Sequence, residues 1–218
     1  INVNAKESVK YLGVTLDQNM SCTKMGNSVI KKVNAKIKFL YRKRLFFGFR
    51  EKKMLCSSLI QSSFDYACNC WFRGLHKKLR LQLQTAQNKV VRYILDYTSR
   101  THLDYCDFKK LQWLKVPDRV DYLTLNLMYC VHTKTAPSYL CNAKPVSHNY
   151  STRRSDLAYV LPKIKTQGSK TFSYNSVNLL TDLTYINKNA EIKEMFKKDC
   201  KMFLMDRMKT MEENKYVM

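Results

Sequence analysis

Hydrophobic residues recur along most of this chain at the three- and four-residue steps of an α-helix. Over residues 27–46, Val29, Ile30, Val33, Ile37, Leu40 and Tyr41 occupy an arc of about 120° at roughly 100° per residue. Lys31, Lys38 and Arg42 flank that arc on one side, and Lys32, Lys36 and Lys43 on the other. The pattern predicts a helix with an apolar seam and two basic shoulders. A second helix is expected over 51–66, with Met54, Leu55, Leu59 and Ile60 inward, followed by Trp71, Phe72 and a break at Gly74. A third is expected over 76–96. Its seam is Leu79, Leu83, Ala86, Val90 and Ile94, and its basic side is Lys77, Lys78, Arg80, Lys89 and Arg92. Trp113 is expected to anchor the next helix. Pro117 then opens another, where its missing N–H has no partner to lose, with Val120, Leu123, Leu127 and Val131 inward.

The two ends read differently. Val9, Tyr11, Gly13 and Leu16 lie among β-formers before the turn signal Asp17-Gln18-Asn19, which predicts a short strand. Residues 141–168 are rich in Ser, Asn and Thr and punctuated by Pro145, Pro162 and Gly168, a polar linker with a short strand near 159–161. Two last helices are expected over 169–181 and 190–210, the latter with Ile192, Phe196, Cys200 and Phe203 on its seam. No internal repeat is visible. The fold class is mainly α, a helical bundle with a short β element at the N-terminus and a small helical C-terminal part.

Composition narrows the function. The chain has 218 residues, 45% of them hydrophobic, enough for a real core. Five Gly and four Pro, scattered, speak against a P-loop or dinucleotide fold. Eight Cys contain no C-x-x-C spacing, so they read as reduced and mostly buried rather than as a zinc site. No apolar run is long enough to span a bilayer, no signal-peptide pattern opens the sequence, and no membrane partner is expected. The net charge is +22, and residues 21–100 hold 18 cations against three acids. Over 31–44 seven cations occur with no acid. Like charges one helical turn apart repel by a few tenths of a kcal/mol per pair, a cost that a polyanionic partner offsets. Focused charge of this kind implies nucleic acid; the alternative is an ordinary basic soluble protein. Tyr41, Phe46, Phe47 and Phe49 interleave with Lys43, Arg44 and Arg50, and Arg153 and Arg154 in the linker form a second candidate contact.

Catalytic chemistry is not legible. Phe64-Asp65-Tyr66-Ala67 has the flavour of a polymerase box, but its single Asp reads as a capping or salt-bridging residue. Glu212-Glu213, the one acidic doublet, reads as solvated at a frayed terminus. His76, His102, His132 and His148 are far apart and form no ligand set.

Several segments, in order, resemble the LINE-type (non-LTR retrotransposon, jockey-like) reverse transcriptases. Residues 9–17 (VKYLGVTLD) look like the stretch that closes the polymerase palm, and 29–41 (VIKKVNAKIKFLY) is similar to the first thumb helix. Residues 59–71 (LIQSSFDYACNCW) and 83–92 (LQTAQNKVVR) resemble the next two elements. Thr101-His102, 111–114 (LQWL) and 116–120 (VPDRV) resemble the segment after the thumb, and 136–140 (APSYL), 148–154 (HNYSTRR) and 167–174 (QGSKTFSY) the C-terminal segment. The resemblance runs from about residue 8 to 205. It implies the end of a palm over 1–20, with Tyr11, Leu12 and Gly13 in the primer grip. It further implies a helical thumb and following bundle over 21–140, the linker over 141–168, and a C-terminal helical segment over 169–218.

The partners implied are RNA and DNA as a template–primer duplex, held by the basic helices (Lys31, Lys32, Lys36, Lys38, Arg42, Lys43, Arg44, Lys77, Lys78, Arg80, Lys89 and Arg92), and an upstream palm and fingers. The family's catalytic aspartates have no counterpart here. The expectation is therefore a non-catalytic fragment, with no cofactor of its own and Mg2+ only for a palm. Ile1 in place of Met leads to the expectation that the chain begins inside a longer reading frame or a processed product. Cys22 stands where the family usually has Trp, Met25-Gly26 where it has His-Ile, Leu180 where it has Trp and Thr184 where it has Pro. These departures suggest a partly decayed copy of marginal stability. The competing expectations are a host-adopted or relic module that binds RNA or DNA non-specifically, and a structural domain that meets an acidic protein. The setting expected is intracellular, nuclear or cytoplasmic, with Lys43-Arg44 readable as part of an import signal.

Overall fold

The N-terminal segment forms a hairpin rather than a single strand. In the computed structural model, which describes residues 7–140, 171–182 and 193–216, β1 (Ser8–Tyr11) pairs antiparallel with β2 (Val14–Asp17), Tyr11 opposite Val14. The intervening Leu12 and Gly13 have φ of 44° and 81°, the double positive φ of a type I′ turn. Only Val14 is buried here; Val9 and Tyr11 face solvent. The Asp17 carboxylate accepts from the Ser21 hydroxyl (2.6 Å) and the Ser21 N–H (2.7 Å). Those bonds hold its pKa below the usual carboxylate range.

Helix α1 (Thr23–Arg42) starts at residue 23 rather than 27 because the apolar seam extends back through Met25 and Gly26. It stops at 42 rather than 46. The Lys43 N–H bonds the Leu40 carbonyl (3.0 Å), tightening the end into a 3-10 turn (Arg44–Phe46) before extended Phe47. Val29, Val33, Ile37 and Leu40 are buried as the periodicity predicts, whereas Ile30 is half-buried and Tyr41 exposed.

The expected second helix is interrupted. Helix α2 (Phe49–Leu55) runs into a π-helical segment (Cys56–Gln61) and then α3 (Ser62–Asp65). The wider π turn keeps every fourth residue on one face. Lys52, Cys56, Ile60 and Phe64 are therefore the buried set, and Met54 and Leu59, expected inside, are exposed. Helix α4 (Cys68–Trp71) buries Trp71, whose indole N–H donates to the Tyr66 carbonyl (2.9 Å).

Helix α5 (Lys77–Ile94) buries all five seam residues. It lies parallel to α1: Gly26 abuts Leu75 and Leu79 near the start of both, and Tyr41 meets Tyr93 edge-on at 5.0 Å near their ends. Side chains of α5 also hold the chain that follows. Gln87, fully buried, donates to the Leu114 carbonyl (2.9 Å), and Gln84 accepts from the Val116 N–H (2.8 Å). Helix α6 (Tyr105–Leu111) ends where Gln112 takes φ 58°, with the Trp113 N–H returning to the Phe108 carbonyl (2.9 Å). Trp113 thus lies in a helix cap and is only half-buried; Leu111 and Leu114 are the anchors instead.

Helix α7 (Val116–His132) buries Val120 and Val131 as expected, but Leu123 and Leu127 are half-buried. Leu125, Met128 and Tyr129 are inside instead. The chain divides into two compact units, Ile1–Val120 with Met208–Met218, and Asp121–Arg207. In the second, α8 (Phe172–Asp182) buries Val177, Leu179 and Leu180. In α9 (Lys193–Tyr216), Phe196, Cys200 and Leu204 form the seam, with Phe203 half-buried and Ile192 outside the described residues. Tyr129 packs on Phe196 at 4.6 Å, and Arg207 pairs with Asp121 at 2.6 Å. The C-terminal acids are not both solvated. Within the first unit Glu212 pairs with Lys115 (3.1 Å) and accepts from the Tyr105 N–H, and only Glu213 is exposed. The linker over 141–168, including its strand near 159–161, lies outside the described residues.

Candidate nucleic-acid interface

The parallel packing of α1 and α5 sets two polar stripes side by side. On α1, Asn27, Lys31, Asn34 and Lys38 recur at i, i+4, i+7 and i+11, and on α5, Lys78, Gln82, Thr85 and Lys89 follow the same spacing. At 1.5 Å per residue each stripe is about 16 Å long. Between them runs a groove of about 420 Å³ lined by Asn27, Lys31, Asn34, Gln82, Thr85 and Lys89, with Ile30 and Ala86 at its floor. Lys31, Lys38, Lys78 and Lys89 are solvent-accessible, and among the described residues none has a carboxylate within salt-bridge distance. Amides, hydroxyls and ammonium groups in this density are the donors that hold phosphate oxygens.

The other predicted cations separate by environment. Arg42, Lys43, Arg44 and Lys77 are exposed, as is Lys32 on the far shoulder of α1. Lys36 is committed elsewhere: its Nζ donates to the Leu59 carbonyl (2.6 Å) and the Ser63 hydroxyl (2.8 Å), tying α1 to the π segment. Arg80 donates to the Arg73 carbonyl (2.8 Å) and lies over the Phe72 ring, and Arg92 donates to the Thr101 carbonyl (2.8 Å). These three act as struts. The expected basic side of α5 is therefore narrower, and the far shoulder of α1 is partly occupied by the protein itself. Arg153 and Arg154 lie outside the described residues.

Tyr11, Leu12 and Gly13 form the hairpin tip, and all three are exposed. The tip docks on Tyr66, whose hydroxyl donates to the Leu12 carbonyl. A Cβ at Gly13 would stand 3.2 Å from the Tyr66 ring, so both the turn and the close approach require glycine there.

Asp65 is a salt-bridging residue. Its carboxylate accepts from Arg119 Nε (3.1 Å) and Nη2 (2.9 Å) and from Gln61 (3.2 Å), a fork geometry that fixes α3 against the start of α7. Among the described residues no cysteine is in a disulfide. Burial pushes the thiols of Cys56, Cys68 and Cys200 up to about 12, which makes them inert. Among the described residues no group of His, Cys, Asp and Glu could hold a metal ion, and no helix is long and apolar enough to cross a membrane.

Sequence periodicity located the cations but missed the neutral donors between them. Asn27, Asn34, Gln82 and Thr85 sit between Lys residues at helical spacing, the signal that would have marked the stripes. The chain matches no protein-family description, no curated protein and no solved structure.

Proposed function

We propose that this chain binds the sugar–phosphate backbone of nucleic acid through the α1–α5 groove, as the thumb and C-terminal region of a LINE-type reverse transcriptase grips a template–primer duplex, without catalysis of its own. The observation that carries the reading is the pair of matched stripes. Lys31 on one helix and Lys89 on the other line a groove of neutral donors, and Lys38 and Lys78 extend their stripes as exposed cations. Such a surface suits phosphate oxygens spaced along a strand, and contacts to phosphates carry no sequence information. The ordered sequence resemblance supports the same role.

Charge reversal tests it. Lys31→Glu with Lys89→Glu is expected to weaken binding of an RNA–DNA hybrid at least about tenfold. The same change at Lys193 and Lys197 on α9, where Lys197 already neighbours Glu194 at 3.9 Å, is expected to change it less than about twofold. Equal losses from the two pairs would remove the groove from the interface. Failure of the unmodified chain to bind any duplex or single strand at low salt would end the nucleic-acid reading.

A further inference from the structure

The most exposed apolar side chains of the described residues sit in a strongly basic turn. Leu45 is 89% and Phe46 78% exposed, and Phe49, 41% exposed, opens α2 nearby. Around them stand Arg42, Lys43, Arg44, Arg50 and Lys53 against the single acid Glu51. Lys43 Nζ lies 5.6 Å from the centre of the Phe46 ring, so the aromatic face is already presented beside a cation. Neither the core nor the groove uses these side chains, although the turn leaves α1 at Arg42, directly beyond the Lys31–Lys38 stripe.

Resting on the nucleic-acid reading above, we propose that the Arg44–Phe46 turn stacks on unpaired bases where a duplex held in the groove opens into a single strand. The charge decides the occupant. An apolar protein pocket that covered Leu45 and Phe46 would have to desolvate the surrounding cations with nothing to pair them. An unpaired nucleotide offers a π face to the ring and a phosphate to the cations at once. A blunt duplex exposes only its terminal pair there, so the turn confers preference for a junction over a blunt end.

The test compares binding of a blunt RNA–DNA hybrid with the same hybrid carrying a single-stranded extension, for the unmodified chain, Phe46→Ala and Phe46→Tyr. The extension is expected to tighten binding by the unmodified chain. Phe46→Ala should lose at least about fivefold on the extended hybrid and almost nothing on the blunt one, and Phe46→Tyr should retain the gain. Because the ring is exposed, the thermal midpoint should be unchanged in both variants. Equal affinity for the two hybrids would overturn the proposal while leaving the groove intact, and so would equal losses on both from Phe46→Ala. Binding of phosphatidylserine vesicles that Phe46→Ala abolishes would replace it with a membrane contact. If the unmodified chain binds neither hybrid, the groove reading fails first and the junction reading falls with it.

Discussion

Lys52 lies inside the basic stretch over residues 21–100, yet it is 4% exposed, with its ammonium 2.5 Å from Asp96 Oδ1 and 5.7 Å from the centre of the Tyr93 ring. Its methylenes pack inward while its charge is answered from the end of α5. Asp96 has a φ of 56°, a conformation Asn also tolerates, so Asp96→Asn removes the charge and little else. That change leaves Lys52 buried without its counter-charge and is expected to cost about 1–3 kcal/mol in urea denaturation. Lys52→Met, which removes the buried charge, should cost less. The reverse order would mean that the pair does not govern stability here. Cys22 is buried as well, and a Cβ at Gly74 would stand 3.1 Å from its Sγ and 2.9 Å from the Met20 carbonyl. A side chain added at Gly74 would therefore collide with Cys22 and the Met20 carbonyl.

At the scale of elements, the apolar seams of α1 and α5 were legible because both helices are amphipathic over their full length. What was not legible follows from geometry that spacing alone does not encode. The π segment at Cys56–Gln61 rotates the inward face to Lys52, Cys56, Ile60 and Phe64, so Met54 and Leu59 were misplaced by a fixed 3.6-residue period. Helix α7 buries Leu125, Met128 and Tyr129 beside Val120 and Val131, a stripe broader than the four residues periodicity singled out. Gly26 was invisible as a packing residue, although a Cβ there would stand 2.7 Å from Leu79 Cδ2 and 3.0 Å from Leu75 Cδ2. In an uncrowded helix Gly→Ala stabilises by about 0.5–1 kcal/mol. At Gly26 the close approach of α5 is expected to reverse the sign, with Gly26→Ala losing about 1 kcal/mol as Leu75 and Leu79 are pushed aside. A raised thermal midpoint would mean that the two helices do not meet as closely as described.

For the whole molecule, the dominant quantity is the +22 net charge, and the fold decides which of its cations are available to a ligand. The sequence marked a basic region; the fold divides it into struts such as Lys36, Arg80 and Arg92 and an exposed set at Lys31, Lys38, Lys78 and Lys89. That division could not be read from composition, because Leu59, Arg73 and Thr101 answer those struts with backbone carbonyls, which carry no charge signature. The most direct measurement is the affinity for an RNA–DNA hybrid as a function of salt, for the unmodified chain and for Lys31→Ala with Lys89→Ala. Each phosphate left without its lysine should lower the slope of log K against log salt by about 0.9 on a DNA-like duplex. The account predicts a steep slope for the unmodified chain, shallower by roughly twice that step in the double variant. Identical slopes for the two proteins would show that the α1–α5 groove does not hold the phosphates.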